Sequence, residues 1–334
     1  MKKRYLFGPL ACVVAVAFPF QLQAGLQLPL QGQLYGEPAQ PLALADKIAA
    51  VAATSAGRVG LAAINIETGE TISYAGRDPF PMASTVKVAI AATYLSGVDA
   101  MRFNLDQLYR RGSAVVSARR LIEAMLIRSD NAATDILLEK VGGPEAVNAW
   151  LARAGIRGQR MDRTIARLVN DDRGRTGRWL PANMPRSPVE VAQSATLSDD
   201  GEVNPAFVGD ARDTSTPAAM VRLLAKLHRG DLLRPASTNY LFDVMARCVT
   251  GARRIKGMLP AGTPVAHKTG TLAGVTDDVG VVTLPNGHHL VLAIFAQGMG
   301  SEGERARSIA QAARLLYDNL GAAVARTMGQ VVAR

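Results

Sequence analysis

The sequence predicts an α+β fold, with an antiparallel sheet assembled from both ends of the chain and a helical domain inserted between them. Three observations lead there. Strand patterns occur near the start, at 59–66 and 71–75, and again near the end, at 264–271, 278–284 and 289–297. Between about 85 and 250 the apolar periodicity is mostly helical. Runs of strands set apart from runs of helices mark α+β architecture, whereas strict alternation would mark a parallel sheet.

Each element has a local reason. Residues 42–56 are rich in Ala and Leu and read as a helix. The alternating runs 59–66 and 71–75 flank Thr68-Gly69, a hairpin signal. Residues 85–97 read as a helix, 117–128 and 132–140 are apolar at helical spacing, and Gly142-Gly143 stops the last of these. Residues 217–228 form another helix, and 302–327 a long terminal one. Pro285-Asn286-Gly287 turns the chain between the last two strands. The stretch 171–202 combines Arg173, Arg175, Arg178 and Trp179 with three prolines, and a loop this long inside a domain points to function or disorder.

The first 24 residues stand apart. Lys2, Lys3 and Arg4 precede an apolar run, Tyr5 to Phe20, and Leu22-Gln23-Ala24 offers a cleavage point. This is a signal-peptide pattern, predicting a secreted or periplasmic protein with no stable membrane anchor after processing. Residues 25–41 read as a linker. The sheet domain is expected over 42–80 and 251–334, and the helical domain over 81–250.

Composition narrows the function classes. Of the net charge of +10, three units belong to Lys2, Lys3 and Arg4, leaving about +7 on scattered residues. With no aromatic-interleaved basic stripe, no nucleic-acid partner is expected. Once the signal is removed with Cys12, Cys248 has no intramolecular partner; among Val244, Met245 and Val249 it reads as a small buried apolar residue. The histidines, His228, His267, His288 and His289, form no ligand motif, and no phosphate-binding glycine loop occurs, so no metal or cofactor is expected. A monomer is expected.

Three short motifs carry chemistry. Ser84-Thr85-Val86-Lys87 enters the helix of 85–97, and a separation of three sets Ser84 and Lys87 on one face. Serine needs a proton acceptor, and a desolvated lysine near other cations can serve. Ser129-Asp130-Asn131 lies between two helices. There Ser129 can pass a proton to a leaving nitrogen, Asn131 can hold a substrate amide carbonyl, and Asp130 braces the turn. Lys268-Thr269-Gly270-Thr271 lies in a strand. Lys268 and Thr269 suit a substrate carboxylate, Gly270 permits close approach of a ligand, and the Thr271 N–H can complete an oxyanion hole with that of Ser84.

The three motifs, each occurring once and in this order, resemble those of class A β-lactamases and penicillin-binding proteins. Phe80-Pro81-Met82-Ala83-Ser84 is similar to the class A approach to the serine. Ser129-Asp130-Asn131-Ala132-Ala133, Val141-Gly142-Gly143-Pro144, Gly209-Asp210-Ala211-Arg212-Asp213-Thr214, Thr216-Pro217 and Leu259-Pro260-Ala261-Gly262 extend the likeness, discontinuously, from about 42 to 318. The resemblance implies a five-stranded sheet, flanking helices, an all-helical domain and a serine hydrolase acylated on Ser84 by a β-lactam. Arg254 matches a position whose arginine helps bind the substrate carboxylate. The alternative is a peptidase acting on a peptidoglycan peptide, or a slowly deacylating β-lactam binder, with the same acylating residues.

One part of the family pattern is broken. Class A enzymes hydrolyse the acyl-enzyme with a Glu-directed water in an Ω loop, expected here over 163–213. Aligned forward from Asp162-Arg163, the base position falls on Ile165, which takes no proton. Aligned backward from Gly209-Asp210, Asp200 falls on the base, with Glu202 as the alternative, and Asn204 on the water-holding asparagine. Arg163 and Asp213 are expected to pair across the loop neck.

Overall fold

In a computed structural model of the chain, which describes residues 42–55, 57–172, 209–298 and 300–331, an opening helix α1 (Leu42–Thr54) leads into the hairpin β1 (Arg58–Asn65) and β2 (Thr71–Tyr74). A two-residue strand β3 (Phe80–Pro81) and a 3-10 turn over Ala83–Val86 deliver the chain to α2 (Lys87–Asp99). A small hairpin, β4 (Leu108–Arg111) and β5 (Ala114–Ser117), precedes α3 (Ala118–Ile127), α4 (Asn131–Val141), α5 (Gly143–Arg153) and α6 (Ile165–Asp172). After β6 (Thr214–Ser215) come α7 (Pro217–His228) and α8 (Pro235–Ala246). Then β7 (Val265–Leu272), β8 (Val275–Thr283) and β9 (His289–Gln297) run into α9 (Glu302–Val331).

The sheet has the order β2-β1-β9-β8-β7, antiparallel throughout, as the segregated strand pattern predicts. Both of its faces are covered, which explains the nearly continuous apolar run of β9. Alternate residues Leu290, Leu292 and Ile294 join a core with Leu44 and Ile48 of α1 and Ile309, Ala313 and Leu316 of α9. Val291, Ala293 and Phe295 face the other way, into the core shared with α2 and the remaining helices. Helix α2 is buried from Lys87 to Leu95, so it has no polar face, as suits a helix enclosed by its neighbours.

Helix ends follow local chemistry. Thr216 accepts the Ala219 N–H at 3.1 Å and Pro217 opens α7. Gly142, at φ +102°, ends α4 in the left-handed conformation that favours glycine.

The segment expected to be mostly helical from about 85 to 250 is so among its described residues, and it also carries the β4–β5 hairpin. One expectation is corrected. The strand expected from 278 begins at Val275, because Thr276, Asp277 and Asp278 are paired to both neighbours and fully buried despite their polarity. Among the described residues no helix is long and apolar enough to cross a membrane. The segments 1–24 and 25–41, read as signal and linker, lie outside the described residues.

Candidate active site

Ser84 is the second residue of the 3-10 turn that opens α2, and Ala83 before it sits at φ +44°. Met82 anchors this turn from both sides. Its N–H donates to Asp213 O at 2.9 Å, and its carbonyl accepts from Thr85 Oγ1 at 2.7 Å. Among the described residues the Ser84 hydroxyl has no hydrogen-bond partner, and the residue is only partly buried.

Lys87, one turn on, is completely buried. Its Nζ donates to Ser129 O at 2.7 Å, Ser129 Oγ at 3.1 Å and Asn131 Oδ1 at 2.7 Å. Burial and the neighbouring Lys268 charge hold its pKa well below the usual lysine value, against the opposing charges of Asp130 and Asp135. Those bonds also explain the backbone at Ser129, which sits at φ +59°. A non-glycine residue there is strained by about 1–2 kcal/mol, and the lysine holds it in place. Asp130 caps α4 through the Ala133 N–H at 2.7 Å and pairs with Arg111 at 2.6 Å, a turn-bracing arrangement.

Strand β7 is the edge of the sheet and runs past this turn. Lys268 is also fully buried; its Nζ donates to Ser129 Oγ at 3.0 Å and to Thr269 O at 2.7 Å. Burial lowers its pKa to about 8, against the Cys248 and Asp278 charges that raise it. Two lysines therefore converge on a single hydroxyl, Ser129 Oγ. Thr269 Oγ1 shares a 2.6 Å hydrogen bond with Thr250 Oγ1.

Gly270 is required by the fold itself. A Cβ there would lie 2.8 Å from Met82 O, 3.0 Å from Asp277 Oδ2 and 3.1 Å from Ala83 Cβ. The bare backbone lets β7 close against the Ser84 turn itself.

Arg254 lies beside this strand with almost no exposed surface. Its guanidinium donates to Gly270 O and Asp277 O, both at 2.8 Å, and to Thr271 Oγ1 at 2.6 Å, and it pairs with Glu302 at 2.7 Å. It thus touches the β7 residues from within the protein.

The loop neck is closed as expected. Arg163 Nε donates to Asp213 Oδ2 at 2.5 Å, and its NH1 lies 2.9 Å from Asp171 and 3.1 Å from Asp210. Just inside, α6 begins at Ile165, which is buried and apolar. Asp135 of α4 receives the Ile165 and Ala166 N–H groups at 2.7 and 2.9 Å. Asp200, Glu202 and Asn204 lie outside the described residues.

Several participants escaped the sequence reading. Asp135, Thr250, Arg111 and Glu302 have no local signal, because each acts on a residue distant in the chain. Cys248 is buried as expected, but its sulfur has a polar partner: Thr250 Oγ1 lies 3.2 Å from it.

Comparison with known proteins places this geometry. Residues 43–320 match the model of the beta-lactamase enzyme family. An imipenem-hydrolyzing beta-lactamase of Enterobacter cloacae is 28% identical, over 79% of this chain and 85% of that protein. A carbapenem-hydrolyzing beta-lactamase of Klebsiella oxytoca is 29% identical over the same shares. Among solved structures, a beta-lactamase from Chitinophaga pinensis is 28% identical with a TM-score of 0.69, covering 83% of this chain and 99% of that one. A reconstructed ancestral class A beta-lactamase is 32% identical with a TM-score of 0.68, covering 82% and 99%. With a family match over most of its length and solved class A enzymes sharing its fold, the chain belongs to the beta-lactamase enzyme family and is a class A serine β-lactamase, a hydrolase of the acyl-enzyme type.

Proposed function

We propose that Ser84 is the nucleophile that opens the β-lactam amide and that the surrounding residues divide the proton traffic and the binding. The observation that carries this reading is the convergence of Lys87 Nζ and Lys268 Nζ on Ser129 Oγ, at 3.1 and 3.0 Å, beside the turn bearing Ser84. Lys87, held neutral more readily than an exposed lysine, accepts the Ser84 proton as the bond to the carbonyl carbon forms. Ser129 then donates its proton to the departing ring nitrogen and is resupplied from a lysine it touches. Asn131, whose Oδ1 accepts from Lys87, keeps its amide N–H groups for a substrate carbonyl. Lys268 and Thr269 receive the substrate carboxylate, with Arg254 adding positive charge through the strand. The Ser84 and Thr271 N–H groups face the developing oxyanion.

For deacylation the reading assigns the base to Asp200, with Glu202 as the alternative and Asn204 holding the water. Two facts support it. The side chain at the forward-aligned position, Ile165, takes no proton, and the spacing back from Gly209-Asp210 keeps the asparagine. The expected result is a penicilloyl adduct on the mature enzyme that appears and then clears as benzylpenicillin is consumed, followed by intact mass. In Asp200→Asn the adduct persists, with acylation slowed much less than deacylation. Persistence in Glu202→Gln instead moves the base by two residues, and an adduct that never forms overturns the nucleophile assignment.

A pH prediction follows from the two lysines. The Lys268 charge is present below about pH 8 and lost above it, while Lys87 is a base only when unprotonated. kcat/KM for benzylpenicillin should therefore fall on the alkaline side near pH 8 through loss of carboxylate binding, and on the acid side through protonation of Lys87. Lys268→Arg, charged throughout, should remove the alkaline limb near pH 8; an unmoved limb would assign it elsewhere.

The same reading includes export by cleavage after Ala24 to a periplasmic or secreted monomer. It also divides the rest into a sheet domain of 42–80 with 251–334 and a helical domain of 81–250. The class A relatives and the placement of all five sheet strands outside 81–250 support it.

A further inference from the structure

The strap that joins α8 to the 3-10 turn at Ile255–Met258 grips one side chain of β7 by both of its branches. Thr250 Oγ1 lies 2.6 Å from Thr269 Oγ1. Gly251, at φ +72°, presses on the other branch, and a Cβ there would lie 2.4 Å from Thr269 Cγ2. A threonine side chain turns about a single bond, so one contact at the hydroxyl and another at the methyl fix its rotamer. Thr269 is buried, and among the described residues its hydroxyl makes no hydrogen bond other than the one to Thr250.

The strap is itself anchored on either side of Thr250. The Val249 N–H donates to Ile127 O at 3.1 Å, at the end of α3 and two residues before Ser129. The Gly251 carbonyl accepts the Arg254 N–H at 2.9 Å, which starts the turn that carries the Arg254 guanidinium to β7. Thr250 is therefore held by backbone bonds to the surroundings of Ser129 and of Arg254, and its half-buried side chain faces the residue between Lys268 and Gly270.

Counting hydrogens gives the Thr250–Thr269 contact a direction. A carboxylate only accepts, so Thr269 has to donate its one hydroxyl hydrogen to the substrate. With that hydrogen committed, the 2.6 Å contact is a hydrogen bond only if Thr250 donates to Thr269. The Thr250 oxygen is then open to the Cys248 S–H, at 3.2 Å. We infer that Thr250 is a positioning residue for the substrate-carboxylate subsite: its hydroxyl donates to Thr269 Oγ1 and so turns the Thr269 hydrogen toward the bound carboxylate. Hydroxyls in series polarise one another, which strengthens the last bond of the chain, the one made to the substrate. A side chain without a hydroxyl at 250 leaves the Thr269 hydrogen free to rotate, and substrate binding must then order it.

This inference rests on the reading of Lys268 and Thr269 as the carboxylate subsite, and the test separates the two by comparing benzylpenicillin with its methyl ester, whose carboxylate is capped. Thr250→Val, which keeps the shape and removes the hydroxyl, should raise KM for benzylpenicillin about tenfold with kcat within about twofold, the scale of one hydrogen bond to a charged group. The preference for acid over ester, as the ratio of the two kcat/KM values, should fall about tenfold, because the ester offers no carboxylate for Thr269 to meet. Thr250→Ser, which keeps the hydroxyl, should recover KM to within about threefold. Adding Thr250→Val to Thr269→Val should cost less than about twofold more, since the two side chains act through one hydrogen bond to the substrate. Thr250→Ala gives the same acid-to-ester comparison if the valine variant fails to fold. A Thr250→Val enzyme with the wild-type acid-to-ester preference, whether its activity falls on both substrates alike or on neither, overturns the inference while Thr269→Val still lowers that preference. If Thr269→Val also keeps the wild-type preference, the subsite reading falls and the inference with it.

Discussion

Replacing Ser84 with alanine should abolish covalent labelling by benzylpenicillin and lower kcat/KM by about 10⁴-fold or more, the scale seen when an enzyme's nucleophile is removed. The fold should be nearly indifferent to the change, within about 0.5 kcal/mol, for two reasons. The Ser84 hydroxyl makes no hydrogen bond among the described residues, so its removal leaves no buried partner unsatisfied. The turn itself is held by Met82, Thr85 and Asp213, none of which depends on the side chain at 84. Intact mass after incubation with the penicillin and thermal melting of the same sample test both halves together. Labelling of the alanine variant at the wild-type rate would show that the nucleophile lies elsewhere. A large loss of stability would mean that Ser84 carries part of the packing, and the kinetic loss could not then be read as chemistry alone.

The residues that do the proposed acylation were legible because their signals are local. Ser84 and Lys87 sit three apart at a helix entrance, Ser129 and Asn131 flank the residue that caps α4, and Lys268 lies in a strand whose neighbours alternate. Helix α7 was legible for the same reason: its cap at Thr216 and Pro217 at its first position are adjacent to the apolar run they start. What escaped is set by tertiary contact. Helix α6 takes its cap from Asp135, thirty residues earlier on α4, so nothing beside Ile165 announces it. The start of β8 is hidden by Asp277 and Asp278, residues with weak strand preference; in the fold the Asp278 carboxylate serves His267, the Asp277 carbonyl serves Arg254, and Thr276 beside them serves Arg305. Cys248 looked apolar from its sequence neighbours, yet its neighbour Val249 is largely exposed and its sulfur meets the Thr250 hydroxyl. Arg254 was singled out by resemblance. That its guanidinium is committed to two carbonyls, Thr271 and Glu302 could only come from the folded chain.

The second large effect is expected at the loop neck. Arg163→Ala should destabilise the protein by about 3–5 kcal/mol, because it leaves buried carboxylates without their counter-charge. At this chain length that corresponds to a fall in melting temperature on the order of 10 °C. The guanidinium serves Asp213, Asp171 and Asp210 at once. Asp213 also accepts the Asp162 and Arg163 N–H groups at 2.7 and 3.1 Å, while its own N–H donates to Asp162 at 3.0 Å. Its backbone is at φ +55°, a conformation that must be enforced by such contacts. Closing a loop becomes harder only slowly with its length, by about 0.6 kcal/mol per doubling, so one ion cluster of this strength suffices to tie off even the long segment from 163 to 213. The cluster also reaches the chemistry, since the Asp213 carbonyl accepts the Met82 N–H two residues before Ser84, and β6 pairs with β3 directly beside it. Both kinetic steps should therefore suffer, deacylation more than acylation, because the segment assigned to the base hangs from this neck. Arg163→Lys should recover only part of the stability: an ammonium carries its donors on one nitrogen and cannot span the separate Nε and NH1 positions by which the guanidinium reaches Asp213 and, on its other side, Asp171 and Asp210. A variant that melts within about 2 °C of the wild type and clears its adduct at the same rate would show that the neck is held by the backbone hydrogen bonds of Asp162 and Asp213 alone.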